Sequence, residues 1–287
     1  MTLTDTRRID SRGIEAFRTQ VDALVHAHPV VVDNRYTRWF ATGEATRDDV
    51  RHLTVQFSVF SHEFVVAQLR KVINAADLDT YRAGKEILMN ELGVVFRPAE
   101  GGSGRPGATR ALDGEVVDAD LVSTEGTVDG SRYRHPAAHF EWLVRFAAPL
   151  GLTFADLGKR RHASPSTAFF CDELLRIYGA DDPSTAEGAS YAVEHWAAAG
   201  FWKELIAGLM AFKARGCPDL HLAFWTWHDK VEDQHAAHTD DELVEAWATP
   251  GFDEERFLRG AAEMLDGVKA FWDGLDRDRL QARGADR

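Results

Sequence analysis

The strongest constraint on this chain is the period of its apolar residues. In "GIEAFRTQVDALVHAH" the residues Ile14, Phe17, Val21, Leu24 and Val25 recur at steps of three and four. That spacing puts them on one stripe of an α-helix. "TRDDVRHLTVQFSVFSHEFVVAQLRKVINA" repeats the pattern behind a threonine cap and two first-turn aspartates, the signature of a helix start. "LDTYRAGKEILMNELG" ends on Gly93, a residue suited to the left-handed turn that closes a helix. "HPAAHFEWLVRFAAPLGL" predicts a helix with Pro136 in its first position. Further helices are expected over 164–179, 185–199, 200–215, 219–237, 239–248 and 253–275. Alternating strands bounded by hairpin turns are not found. The expected fold class is all-α, and 287 residues are expected to form a single helical domain, 1–287.

Two stretches depart from this pattern. Residues 94–134 are rich in glycine and acids and read as a long loop insertion with room for a short helix or hairpin. The tail 276–287, "DRDRLQARGADR", is expected to fray.

Charge and cysteine usage narrow the partners. A formal net charge of −13 repels nucleic-acid backbones and anionic lipid, and no basic run offsets it. No apolar run approaches a membrane span, and "MTLTDTRRID" lacks the apolar core of a signal peptide. Cys171 and Cys217 make neither a disulfide framework nor a thiolate metal pattern. The expected location is the cytoplasm.

Chemistry concentrates in "FWTWHDKVEDQHAAH". There His228, Glu232 and His235 stand at i, i+4 and i+7, on one helical stripe. A nitrogen, an oxygen and a nitrogen donor so aligned can meet one cation, and Glu232-x-x-His235 is the pair that carboxylate di-iron bundles use. The bland alternative is chance spacing among twelve histidines on an amphipathic surface. Trp225 and Trp227 argue against it, because polar groups among large aromatics are costly unless paired or metal-bound. Other helices offer matching groups. Glu194 sits between Val193 and Trp196, Glu91 beside Leu88 and Leu92, and His139 at a helix start with Glu141 behind it. Each has an ordinary reading: a helix-end surface residue for Glu91, an arginine partner for Glu194, a satisfied helix-start histidine for His139.

Taken in order, Glu91, His139, Glu194 and then His228-x3-Glu232-x2-His235 resemble the heme-oxygenase-like di-iron oxidases and oxygenases. In that family an early Glu and His, a middle Glu and a late His-x3-Asp/Glu-x2-His converge on two irons. "NELG" is similar to its first ligand helix and "HFEWLVRFAAPLGL" to its second, and the likeness spans roughly residues 45–240. It implies a helical bundle with the loop insertion placed after the first ligand helix. Two departures stand out. The late carboxylate is Glu232 where Asp is frequent, and a long insertion separates Glu91 from His139. Such an insertion is similar to that of the N-oxygenating branch, whose members add a carboxylate ligand shortly before the second-helix His. Asp129 is the positional match, with Glu125 as runner-up.

Competing signatures fail. "HEFVV" lacks the second His of a zinc protease, only one Glu-x-x-His pair of a ferritin-like site occurs, and Cys171 lacks an evident base partner for thiaminase-like chemistry. A proximal His26 or His28 for heme would leave the later set unexplained.

The resemblance implies two Fe ions (Fe2+/Fe3+) with O2 as co-substrate; by donor type alone, mixed imidazole and carboxylate donors suit iron better than calcium or magnesium and leave zinc and manganese open. It implies oxidation of an amine nitrogen in a small metabolite or amino acid and electrons from an external donor, with a homodimer as one option for assembly. Desaturation or oxidative C–C cleavage of an amino or fatty acid is the alternative on the same metals. A metal-free helical binding or scaffold protein is the alternative of another class; it expects Glu91, Glu194 and His228 to face solvent or pair with Lys and Arg. Phe57, Phe60, Phe64, Tyr191, Trp196 and Trp225 are candidates to line a substrate pocket, which is largely apolar in most enzymes. His62, Arg70 and Arg145 are candidates to steady a carboxylate.

Overall fold

In a computed structural model, residues 11–93, 122–123, 127–128, 131–132, 135–235 and 239–285 are described, without side chains at 11–12, 122–136, 231–242 and 285. The helices run in the order α1 (Ser11–Val21), α2 (Pro29–Val32), α3 (Arg35–Ala41), α4 (Arg47–Ile73), α5 (Leu78–Glu91), α6 (His139–Ala147), α7 (Pro165–Glu173), α8 (Pro183–Ala198), α9 (Phe201–Gly216), α10 (Ala223–His235), α11 (Thr239–Ala248) and α12 (Glu254–Ala285). None of the described helices is long and apolar enough to cross a membrane. Helices α1 and α7 each run on into one π-helical turn, Asp22–His26 and Leu174–Tyr178. Inside the 94–134 insertion, the described backbone forms a hairpin of β2 (Thr127–Val128) with β3 (Ser131–Arg132), enclosed by β1 (Val122–Ser123) paired with β4 (His135–Pro136).

Local chemistry sets several boundaries. The Thr46 hydroxyl accepts from Asp49 N and the Asp49 carboxylate accepts from Thr46 N at 2.8 Å, a reciprocal cap that starts α4. Gly93 follows α5 with φ +69°, the left-handed closure expected of it. Pro136 is not the first residue of α6: it pairs in β4, and α6 begins three residues later. There Ala138 N donates to Glu141 Oε1 at 3.0 Å, so the carboxylate of the first turn performs the capping.

The core is aromatic and centres on Phe57 of α4. Its ring lies 5.0–6.3 Å from those of Phe60, Trp202, Phe224, Trp225, Phe271 and Trp272. Helix α12 packs along α8 and α7. It approaches α8 so closely that a methyl group added at Gly188 would stand 2.0 Å from the Phe257 carbonyl oxygen, and one at Gly260 2.4 Å from that of Thr185. Within the tail expected to fray, α12 continues to Ala285. Trp39 explains this, since the guanidiniums of Arg279 and Arg283 sit 4.1 and 4.8 Å from its ring and tie the last turns to α3.

Candidate metal centre

Three of the six expected donors come together. Glu91 from the end of α5, His139 from the first position of α6 and His228 from α10 each offer one ligand atom, and these atoms lie within 4.8 Å of one another. Two donors on one ion at about 2.1 Å can be at most about 4.2 Å apart when they lie opposite one another, and about 3–3.4 Å apart at octahedral or tetrahedral angles, so donors as far apart as the 4.8 Å limit must draw together to share an ion. His139 Nδ1 lies 3.2 Å from Glu91 Oε1, with side-chain exposures of 9% and 15%. The contact has ion-pair distance without hydrogen-bond alignment, which leaves Nδ1 buried with no hydrogen-bond partner. His228 Nδ1 donates to the Phe224 carbonyl at 2.6 Å. That bond selects the tautomer whose Nε2 keeps a lone pair, the arrangement of metal-ligating histidines.

The electrostatics agree. Burial pushes the His228 imidazole down to about 4, the charge of His139 pushes the same way, and Glu91 and the Phe224 carbonyl oppose them. His228 is therefore neutral at pH 7, as a ligand must be. Burial alone would raise the Glu91 carboxyl. The neighbouring His139, and then His228, more than offset it, and the group stays ionised, below its ordinary range.

Tryptophans wall the two imidazoles. Trp142 stacks on His139 at 5.0 Å, and Trp202 stacks on His228 at 4.9 Å with Phe224 at 4.5 Å. Such walls restrict the orientation of each ring and cover one of its faces. Trp142, at i+3 from His139, was within reach of helical spacing. Trp202 stands on a different helix from His228, and no local signal connects them. His62 stacks on Phe140 at 4.4 Å, and its Nδ1 lies 3.1 Å from the Gly158 carbonyl, so it steadies the residue after His139 and touches no carboxylate there. Arg70 donates to the Leu175 carbonyl, a structural contact.

Glu194 lies on α8, outside the 4.8 Å group and partly buried. Helices α4, α5 and α8 also share buried polar contacts with Tyr178. The Tyr178 hydroxyl donates to Gln68 Oε1 at 2.6 Å, Gln68 Nε2 donates to the Gly84 carbonyl, and Lys71 donates to Ser190. Burial raises the Tyr178 phenol, and the carboxylates of Glu194, Glu187 and Glu91 raise it further, which places Glu194 and Glu91 both within electrostatic reach of that ring. Glu194 also lines a small cavity of about 20 Å³ with Glu187, Ser190, Tyr191, Leu243, Ala246 and Phe257, room for about one water. The backbone of Glu232 and His235 is helical within α10, and their side chains lie outside the described residues, as do Asp129 and Glu125 altogether. Of the pocket candidates, Phe57, Trp196 and Trp225 are buried in the aromatic core, Phe60 and Phe64 pack on its edge, and Tyr191 joins Glu194 at the small cavity.

No family model matches the chain, and no curated protein sequence does. Solved structures match along nearly its whole length. A domain of unknown function with a heme oxygenase-like fold from Shewanella denitrificans OS217 shares 13% identity, with a TM-score of 0.57 over 95% of this chain and 94% of that one. This chain has a heme-oxygenase-like fold. A TenA homolog from Pseudomonas syringae pv. tomato DC3000 aligns at 11% identity and a TM-score of 0.59 over 91% and 92% of the two chains. A CADD-like protein of unknown function from Nostoc punctiforme PCC 73102 aligns at 16% and 0.59 over 93% and 98%. At these identities the likeness speaks for the fold alone, and the side chains of this heme-oxygenase-like bundle must carry any statement about chemistry.

Proposed function

We propose that the chain is an O2-activating non-heme di-iron oxygenase that oxidises an amine nitrogen of a small metabolite. The observation that carries this reading is the convergence of Glu91, His139 and His228 from three separate helices, with their donor atoms within 4.8 Å. The metal-free scaffold reading expects Glu91, Glu194 and His228 to face solvent or pair with Lys and Arg. Instead Glu91 faces His139, and His228 is walled by Trp202 and Phe224; Glu194 is partly buried.

In this reading Glu91, His139 and His228 hold one iron, and Glu194, Glu232 and His235 hold the second. Paired metals stand about 3.5–4 Å apart, so a carboxylate of the second ion need not share the first ion's donor group, and Glu194 does not share it. Bound iron supplies the redox chemistry that turns O2 into an oxygen donor, with electrons from an external donor or the substrate. The chain's own contribution is different. His228 is kept neutral and aimed by the Phe224 carbonyl. Glu91 is kept ionised by His139. Trp142 and Trp202 each cover one face of an imidazole and steady its orientation. Nitrogen oxidation is favoured over desaturation or C–C cleavage by the long insertion ahead of His139, which offers Asp129 or Glu125 as a further carboxylate.

The test is anaerobic loading with Fe(II), metal counting, and exposure to O2 with and without candidate amines. About two irons per chain and an oxygenated nitrogen product from an amine are expected. Stoichiometric iron with only desaturated or cleaved products would favour the alternative, and an iron content no higher than that of a His228→Ala variant would overturn the metal reading.

A further inference from the structure

The hairpin of α4 and α5 carries an apolar face, interrupted by the exposed Lys85, that the described residues leave uncovered. Val66, Leu69 and Ile73 on α4 are 44, 45 and 70% exposed, and Leu78 and Tyr81 on α5 and Leu92 at its end are 59, 42 and 44% exposed. Each set falls on one stripe, within about 60° of arc at 100° per residue. The two stripes also face the same way. Gly84 of α5 touches Val72 and Gln68 of α4, and on both helices these contact residues lie about a quarter turn behind the exposed stripe. In an antiparallel pair equal offsets of that kind turn both stripes to the same side.

Charge says what can cover this face. Residues 66–92 hold four cations (Arg70, Lys71, Arg82, Lys85) and four acids (Asp77, Asp79, Glu86, Glu91), a net charge of zero. The whole −13 therefore resides in the rest of the chain. Two copies repel over most of their surface and can approach without that penalty through this hairpin. We infer that the α4–α5 face is a two-fold interface between copies of this chain. A face two helices wide and as long as the 14 residues of α5 measures about 20 by 20 Å. That is about 400 Å² per partner and about 800 Å² in total, at the low end for specific association. The dimer is thus a weak, concentration-dependent one. A two-fold contact is self-complementary, so Leu69 and Ile73 of each copy lie inside it.

The inference does not rest on the metal, and its test uses the metal-free full-length chain. Sedimentation equilibrium over a wide concentration range is expected to show monomer and dimer in exchange. Raising salt from about 0.1 M to about 1 M shortens the screening length from about 10 Å to about 3 Å and is expected to tighten the dimer by relieving the repulsion. Leu69→Glu and Ile73→Glu place charges on already exposed positions, so they are expected to abolish the dimer with unchanged circular dichroism. Met210→Glu, on the exposed side of α9, is expected to leave it intact. A monomer at every concentration would overturn the proposal and point to another occupant of the face. So would a dimer indifferent to both α4 substitutions, or one that salt dissociates.

Discussion

Replacing Gly188 by alanine sets two magnitudes of opposite sign against each other. In a helix interior, glycine is about 1 kcal/mol worse than alanine, so local propensity alone predicts that Gly188→Ala stabilises α8. The packing predicts the reverse. The new methyl would stand 2.0 Å from the Phe257 carbonyl oxygen and 2.8 Å from its carbon, whereas carbon–oxygen contacts settle at about 3.3–3.6 Å. The obstacle is backbone within α12, so no side chain can swing aside, and the helices must part by more than an ångström against a close-packed core. Overpacking of this kind costs about 1–3 kcal/mol, and with backbone as the obstacle the upper end applies. Subtracting the propensity gain leaves a net loss of about 2 kcal/mol, or about 3 °C in Tm for a chain of 287 residues. Calorimetry or thermal circular dichroism reads the shift. Gly284→Ala is the control: its added methyl meets nothing within 4 Å, so it is expected to raise Tm slightly or leave it unchanged. A Gly188→Ala protein that melts at or above the parent would refute the close α8–α12 approach and the packing argument with it.

Other expectations follow from the same structure. His228→Ala and Glu91→Gln should each lower iron stoichiometry, read by metal analysis after anaerobic loading, with the helical circular dichroism retained; unchanged loading would count against the donor set. Ferrous iron at about 100 times its dissociation constant should raise stability by about 2.7 kcal/mol, seen as an upward Tm shift that His228→Ala lacks. Asp182 caps α8 by accepting from Thr185 N at 2.9 Å and pairs with Arg256 of α12, so Asp182→Ala should cost about 1–2 kcal/mol at neutral pH, mostly the lost cap. Burial raises the Asp182 carboxyl, but Thr185 and then Arg256 bring it below its ordinary value. The folded state therefore releases this proton more readily than the unfolded one. The stabilisation is present above the unfolded pKa and is lost as pH falls through the lower folded pKa. The gap in urea midpoint between parent and variant should accordingly hold steady from about pH 5 to 8 and shrink under strong acid; a gap that widens in acid would contradict the assignment.

Much of the architecture is legible because it is local. Thr46 and Asp49 announce the start of α4 by exchanging hydrogen bonds across one turn, and Gly93 ends α5 through its own backbone freedom. The apolar period of α1 names its buried face correctly, since Ile14, Phe17, Val21 and Val25 are all in the core. Pro136 shows where local logic misleads. A proline ahead of an apolar run reads as a helix start, yet pairing with Val122 holds it in an extended ladder. The tail misleads in the opposite direction: although it is largely charged and polar, its helix is held by residues far away in sequence, with Trp39 stacked under Arg279 and Arg283, Ser166 accepting from Arg277 and Asp49 pairing with Arg283.

From residue types and helical spacing alone come an all-α chain, the stripe bearing His228, Glu232 and His235 on α10, and Glu91 and His139 as candidate donors at two helix ends. Their meeting is a different kind of fact. Glu91 and His139 are separated by the whole insertion and His228 by several further helices, and nothing short-range links them. Only the packing of α5, α6 and α10 brings their donor atoms together. The same packing decides that Trp202 covers His228 and that Gly188 must stay a glycine. Period and capping act over one or two turns, whereas the distances that would allow a metal to bind depend on how whole helices lie against one another.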